Sequence, residues 1–330
     1  MAFDNIKLDK GLYTSGKGFT AMLEQIDPSE NYKGTQLEGL DAYQRQLKRF
    51  DIKVSGSNSD CVEKFFKTSD SAALFPEYIS RAVQQGMEEA NILADIVATT
   101  TKIDSLDYRT ISSIPTEEDK ELVEVAEGAH IPETVIRTKD KLVKLNKRGR
   151  MLVASYEAIR FQKLDLFTVT LRQIGSYIAR SQMKDAIKVL SDALGEESKV
   201  TASESLKYAD LVKLWDKFDP YTLTTMIATP DLTMQLLQLE EFKDSFAGQN
   251  FHATGALATP FGAKLMKNKN VPANHILALD KNCALEMVQA GEVVTDFDKL
   301  IDRQLERAAI TSIAGFSAIM PDAIKALEVE

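Results

Sequence analysis

The chain of 330 residues is 44% hydrophobic and 27% charged, and its formal net charge is −9 at pH 7. Its length allows two or three domains, and its negative charge argues against dedicated nucleic-acid binding, which requires a basic surface. The amino terminus does not resemble a signal peptide, and no apolar run approaches the roughly 18 residues of a membrane span. The distant Cys61 and Cys283 are expected to be free thiols, so we expect synthesis in the cytosol.

The first part of the chain is predicted to be helical after a polar start. Residues 1–35 are punctuated by glycine and poor in hydrophobic residues, which predicts an extended arm with a short helix at Thr20–Ile26. Apolar residues at helical spacing predict a helix within Gln36–Phe50. Pro76 is expected to begin another helix between Phe75 and Ala90.

The next segment changes to strand-like patterns and then divides into two limbs of opposite charge. Ile92–Thr101 and Lys102–Ser112 alternate in the manner of β-strands. Glu117–Glu127 holds six acidic residues and one lysine, whereas Arg137–Arg150 holds seven basic residues and one aspartate. Short apolar alternation in both limbs predicts a long two-stranded loop.

The opposite charges could pair within this hairpin or between neighbouring copies of the chain. One exposed ion pair contributes only about 0.2–1 kcal/mol, but a network repeated between identical subunits can set register and partner choice. The sequence leaves both arrangements open. The residues that we select as inter-subunit contacts are Glu117, Glu118, Glu121, Lys141, Lys144, Lys147, Arg148 and Arg150.

After a short predicted helix at Met151–Phe161, residues 165–194 predict one long helix. Its apolar residues recur at three- and four-residue spacing, and no proline interrupts it. Gly175 is its one internal glycine and is expected to cost about 1 kcal/mol relative to alanine. About 29 residues span roughly 43 Å, whereas the mean helix has about 11–12 residues. A helix of this length usually serves as a spine for other elements.

The last third alternates helices and strands without a regular βαβ rhythm. Helices are predicted at Lys207–Phe218 and from Pro230 to about Leu239. Strands are predicted at Thr222–Ala228, Ala263–Met266, His275–Asp280 and Glu292–Phe297. The fold class is therefore α+β.

No motif in the sequence predicts catalysis or a cofactor. GLYTSGKG at Gly11–Gly18 approaches a phosphate-binding loop, but Gly18 stands where Ser or Thr would hold magnesium, and chance composition is the better interpretation. The three histidines, His130, His252 and His275, are scattered and have no ligand partner at metal-site spacing. We expect a protein that is not an enzyme, with no cofactor and no metal.

Several segments in order carry a resemblance to a known family. They are DSLDYRTISS (Asp104–Ser113), VAEGAHIPE (Val125–Glu133), the predicted return helix with the first part of the spine (Met151–Ile187), ATPDLTMQLLQL (Ala228–Leu239) and the C-terminal segment (Arg303–Val329). Together they resemble the major capsid proteins of tailed bacteriophages over Phe75–Glu330. No single motif is diagnostic, whereas the ordered set is.

The resemblance implies a tailed-phage major capsid fold with an N-terminal arm, an extended two-stranded loop, a peripheral domain and an axial domain. Residues 1–74 would form the arm and its helix, 113–150 the extended loop, and 207–303 the axial domain. Residues 75–112 and 151–206 would form the peripheral domain with its spine helix at 165–194, to which 304–330 would return.

The resemblance also implies function and partners. Hexamers and pentamers of the chain would tile an icosahedral phage head that encloses double-stranded DNA without sequence-specific binding, and a negative wall suits such a container. A separate scaffolding protein, a portal and a decoration protein are the expected partners, and no membrane is. The protein would be assembled in the bacterial host cytoplasm and would reside in the virion.

Two other functions stay open at this point. Encapsulins, which are cellular nanocompartment shells, share this fold, but they begin with a compact helix, and the long segment Met1–Asp70 favours the phage interpretation. A nucleotide-binding enzyme that uses Gly11–Lys17 is the alternative from a different class, and it would lose ATP binding on Lys17→Ala.

Overall fold

The computed structural model describes residues 3–13, 18–90, 93–112, 124–128, 131, 137–155, 157, 161–202, 206–243, 260–291 and 293–329. The chain forms two compact units. The first comprises Met1–Asn91, Lys147–Arg180 and Gly291–Ile313, and the second comprises Ile92–Asn146, Ser181–Ala290 and Ala314–Glu330.

Eight helices and twelve strands are described. The helices are α1 (Phe19–Ile26), α2 (Ala42–Arg49), α3 (Ser69–Ala72), α4 (Phe75–Glu89), α5 (Leu164–Asp192), α6 (Tyr208–Asp216), α7 (Pro230–Gln238) and α8 (Glu240–Lys243). The strands are β1 (Thr99–Ile103), β2 (Ile111–Ser112), β3 (Arg137–Thr138), β4 (Leu145–Ser155), β5 (Lys199–Ala202), β6 (Thr225–Ala228), β7 (Lys264–Lys267), β8 (His275–Leu279), β9 (Leu285–Ala290), β10 (Val294–Leu300), β11 (Leu305–Ala318) and β12 (Ile324–Val329). This mixture confirms the predicted α+β class.

The long predicted helix is confirmed as α5, which we call the spine helix. Within the first unit its apolar face packs against α4, and both helices contribute to one hydrophobic core with Leu171, Ile174 and Ile79. The predicted helices that begin at Pro76 and Pro230 are confirmed as α4 and α7, and in α7 the Thr229 hydroxyl accepts a hydrogen bond from the Leu232 N–H.

The N-terminal segment is not the extended arm that its composition predicts. The short helix expected at Thr20–Ile26 is confirmed as α1, but its side chains Phe19 and Leu23 are fully buried in the core of the first unit. The guanidinium of Arg45 on α2, also fully buried, donates to the Asp27 carboxylate at 2.9 Å and to the Leu40 carbonyl at 2.7 Å. A few large apolar residues and one buried ion pair therefore fold this polar segment onto the unit.

In the first unit, β10 pairs antiparallel with β11 over Val294–Leu300. β4 also pairs with β11. The predicted short helix at Met151–Phe161 is wrong over its first five residues, because Met151–Ser155 continue β4 as strand. A short apolar run such as this one has no periodicity that separates strand from helix.

In the second unit, the end of β11 pairs antiparallel with β9, and β9 pairs parallel with β1. A separate five-stranded sheet has the order β5-β12-β8-β6-β7, with β6 buried along its whole length. Two hydrophobic clusters lie in this unit, one around Ile187 and Leu279 and one around Met226 and Leu232.

The two strands of 304–330 belong to different sheets, and the domain bounds that the resemblance implies stay a prediction. β12 pairs with β5 and β8, so Ile324–Val329 lie within the sheet that also holds β6 and β7, in the range expected to be axial. Only β11, at Leu305–Ala318, belongs to the other sheet. Such non-local pairing has no local signal in the sequence.

Candidate assembly surfaces

The acidic limb of the predicted loop is described only in part. Glu117, Glu118 and Glu121 lie outside the described residues, so their predicted contacts stay a prediction. Glu124 and Glu127, at the end of the same limb, are exposed. The limb thus presents at least these two carboxylates to solvent.

The basic limb is described over Arg137–Arg150 and is largely exposed. Lys141, Lys144 and Lys147 point to solvent, and none of them lies within 4 Å of a carboxylate in the part of the chain that the structure describes. Arg148 is half-buried, and the Arg150 guanidinium lies 5.9 Å from the ring centroid of Tyr177 on the spine helix. The three lysines are therefore available to carboxylates that the described residues do not supply.

At the base of the loop, backbone hydrogen bonds join the basic limb to the residues that precede the loop. β2 and β3 pair antiparallel through Ile111 and Ser112. Below them the Lys139 N–H donates to the Thr110 carbonyl at 2.9 Å, and the Val143 N–H donates to the Tyr108 carbonyl at 2.8 Å. The start of the basic limb is therefore paired with the residues that precede the loop, and the pairing predicted between the two charged limbs stays a prediction.

A buried carboxylate that the sequence analysis missed lies beside this base. Glu286 on β9 is only 4% exposed, and it accepts hydrogen bonds from the hydroxyls of Thr101, Tyr108 and Thr110. Burial, followed by the hydrogen bond to Glu286, raises the pKa of Tyr108. A glutamate inside the apolar run LEMV is the one signal that could have indicated this cluster, since a charge in a buried strand requires partners.

The first unit also exposes apolar side chains along one face of the spine helix and β4. Met151, Val153, Leu166, Val169 and Tyr177 are 54%, 50%, 61%, 58% and 41% exposed. A groove of about 650 Å³ lies between the two elements and is lined in part by Met151, Val153 and Tyr177. Contiguous exposed apolar surface of this kind is typical of a protein interaction site.

The structural context of a phosphate-binding loop is absent around the described ends of Gly11–Gly18. Thr14–Lys17 lie outside the described residues, but Phe3–Asn5 and Lys10–Tyr13 before them are 3-10 helical. A phosphate-binding loop follows a buried strand, and the first strand in the described ranges is β1. The enzyme alternative therefore lacks its expected structural support.

Membrane-spanning helices and metal-ligand clusters are both absent from the described ranges. No helix there has the length and apolar character that crossing a bilayer requires. No group of three His, Cys, Asp or Glu side chains there has the geometry of a metal site. Cys61 and Cys283 are both free thiols, as expected.

A protein-family model matches much of the chain. The family model described as "Phage capsid protein" matches residues 138–316, which is more than half of the chain. No curated protein matches the sequence.

Solved structures share the fold at low sequence identity. The capsid of a native GTA particle matches with a TM-score of 0.56 and 13% identity, over 73% of this chain and 90% of that one. The capsid of cyanophage P-SCSP1u matches with a TM-score of 0.51 and 13% identity, over 73% of this chain and 88% of that one. The SrpI encapsulin of Synechococcus elongatus matches with a TM-score of 0.49 and 12% identity, over 70% of this chain and 84% of that one.

The predicted fold, the tailed-phage major capsid fold, is thereby confirmed. The family match runs from the basic limb into β11. This chain therefore belongs to the phage capsid protein family and is a structural major capsid protein.

Proposed function

We propose that the chain assembles with copies of itself, as hexamers and pentamers, into an icosahedral phage head that encloses double-stranded DNA, and that its role is structural and not catalytic. The observation that carries the proposal is the family match over residues 138–316, which spans the basic limb and the spine helix. The half-exposed apolar side chains of β4 and the spine helix support the proposal, because neighbouring subunits would remove them from water.

The inter-subunit contacts are formed by the two charged limbs. Glu117, Glu118 and Glu121 of one copy meet Lys141, Lys144, Lys147, Arg148 and Arg150 of another. The exposure of the three lysines, without a described carboxylate beside them, supports pairing between copies. Repetition of individually weak pairs around a ring would select the register of neighbouring subunits.

The partners follow from this role. A separate scaffolding protein, a portal and a decoration protein would act with the shell, which is assembled in the host cytoplasm and ends in the virion. The net charge of −9 disfavours tight binding of packaged DNA to the subunits. DNA would therefore be enclosed without sequence-specific contacts.

Sedimentation velocity of the purified protein over a range of concentrations tests self-association. Species with the mass of five or six chains, or larger, are expected to grow with concentration. The same run at high salt should shift them toward the single chain, because exposed ion pairs are screened. A single-chain species at every concentration and salt would contradict the proposal.

A further inference from the structure

Glu286 is a buried charge whose partners lie mostly on the segment Tyr108–Thr110, which leads into the extended loop. Its carboxylate accepts from the Thr101 hydroxyl at 2.5 Å and the Tyr108 hydroxyl at 2.8 Å, and its second oxygen accepts from the Thr110 hydroxyl. Thr101 belongs to β1, whereas Tyr108 and Thr110 belong to the segment between β1 and β2 that leads into the loop. A carboxylate that is 96% buried is stable only with such partners.

The basic limb is held by the same group of residues. The Lys139 N–H donates to the Thr110 carbonyl, and the Thr110 hydroxyl donates to Glu286. Thr110 therefore links the basic limb to Glu286. The Lys139 ammonium donates to the Ala318 carbonyl on β11. Burial lowers the pKa of Lys139, and the negative charge of Glu286 opposes this shift.

Within the described residues, β2 and β3 pair over two residues each. A two-stranded ribbon of that length has little stability of its own. β1, in contrast, pairs with β9 over five residues, Thr99–Ile103. The backbone thus holds β1 on β9 and, through the pairing of β4 with β11, the end of the basic limb. Tyr108 and Thr110, between these two fixed points, are held to β9 by their hydroxyl bonds to Glu286.

We propose that Glu286 is a positioning residue for assembly: its carboxylate fixes the direction in which the extended loop leaves the second unit, and thereby where the loop meets neighbouring subunits. This inference rests on the proposed self-assembly, but the anchoring itself is a property of the single chain. The two parts can therefore be tested separately.

The test compares two matched substitutions, Thr110→Val and Thr101→Val. Each replaces a hydroxyl that donates to Glu286 with a methyl group of similar volume. Only Thr110 lies on the segment that leads into the loop, so a merely structural role of the cluster predicts the same result for both. Tyr108→Phe is a second loop-side variant that removes one hydroxyl and keeps the ring.

The first readout is hydrogen exchange on the unassembled subunit. In Thr110→Val and Tyr108→Phe, the amides of Lys139 and Val143 are expected to exchange about tenfold faster than in the wild type, because the limbs open locally. In Thr101→Val they should exchange at the wild-type rate. Equal effects of Thr101→Val and Thr110→Val, or no effect of either, would overturn the anchoring.

The second readout is particle shape in electron micrographs. Thr101→Val should form the same particles as the wild type, whereas Thr110→Val should form irregular particles or none. If the loop-side variants form wild-type particles despite faster exchange, the link to assembly is wrong. If the wild type itself forms no assembly, the proposed function fails while the exchange result still decides the anchoring.

Discussion

Gly86 on α4 and Gly175 on the spine helix meet the backbone of each other's helix without an intervening side chain. A Cβ atom on Gly86 would lie 2.0 Å from the carbonyl oxygen of Arg172, and one on Gly175 would lie 2.0 Å from the carbonyl oxygen of Val83. Both distances are far below contact distance. Gly175, which the sequence predicts to weaken the helix, is thus required for this close contact between α4 and the spine helix.

Gly86→Ala and Gly175→Ala are each expected to lower the free energy of unfolding. The added methyl group forces the two backbones apart, and overpacking of this kind typically costs about 1–3 kcal/mol, which outweighs the gain of about 1 kcal/mol in helix propensity. Thermal unfolding measures the difference. Gly195→Ala is the control, because its φ is −81° and a Cβ there would have open space, so no loss is expected. A stabilised Gly175→Ala variant would contradict the close contact.

The buried Arg45 ties the N-terminal segment to α2. Its guanidinium donates to Asp27, to the Ser29 hydroxyl and to the Leu40 carbonyl, and it lies 4.4 Å from the ring centroid of Tyr32. Asp27 is 1% exposed. The segment therefore contains a charge pair without water around it.

Arg45→Ala is expected to cost about 3–5 kcal/mol, because it leaves the Asp27 carboxylate buried without its cation. Denaturant unfolding measures this loss, and proteolysis should cut the N-terminal segment first. Arg303→Ala is the matched control, since its side chain is 72% exposed and its ion pair with Asp302 is long, at 3.8 Å. Equal stability of the two variants would show that the N-terminal segment is not packed as described.

Alkaline pH is expected to destabilise the first unit through its buried tyrosines. Burial raises the pKa of Tyr78 to about 12 and also raises the pKa values of Tyr13 and Tyr43. A group whose folded pKa is raised contributes stability that is complete below the unfolded pKa, near pH 10, and is lost as the pH passes the folded pKa. For Tyr78 alone the loss amounts to about 3 kcal/mol, from a pKa difference of about two.

Unfolding followed by tyrosine absorbance from pH 9 to pH 12.5 checks this expectation. Tyr78→Phe should flatten the pH dependence while it lowers stability at neutral pH, because the hydroxyl bonds the Leu164 carbonyl at 2.8 Å and the Thr168 hydroxyl at 2.6 Å. Tyr177→Phe, at a half-exposed position, should leave the profile unchanged. A stability that rises above pH 10 would refute the assignment.

Reversal of the basic limb is expected to block assembly and to spare the subunit. In the triple variant Lys144→Glu, Lys147→Glu, Arg148→Glu, the altered basic limb would repel the acidic limb of a neighbouring copy. Circular dichroism should match the wild type, while particles should be absent or altered in electron micrographs. Lys48→Glu, Lys67→Glu, Lys269→Glu is the control, because it changes the net charge equally at exposed lysines elsewhere. Wild-type particles from the limb variant would remove the inter-subunit role.

The sequence predicted the elements whose signal is local. The spine helix was recognisable because its apolar residues repeat over many turns, and α7 because Thr229 and Pro230 begin it. The burial of Phe19 and the ion pair of Arg45 with Asp27 were not predictable, because both depend on residues that are distant in the sequence. The same holds for the pairing of β12 with β5 and β8.

The candidate site was predictable only in part, for the same physical reason. The charge segregation of the two limbs is visible in the composition of two short ranges, and the exposure of Lys141, Lys144 and Lys147 agrees with it. The function of Glu286 depends on three hydroxyls that are about 180 residues away from it along the chain. Only a folded structure brings these groups together.

Negative-stain electron microscopy of the protein expressed alone, beside size-exclusion chromatography, tests self-assembly most directly. Closed shells, tubes or isolated hexamers and pentamers are expected. A protein that stays strictly monomeric and monodisperse, even after concentration, would contradict the proposed assembly.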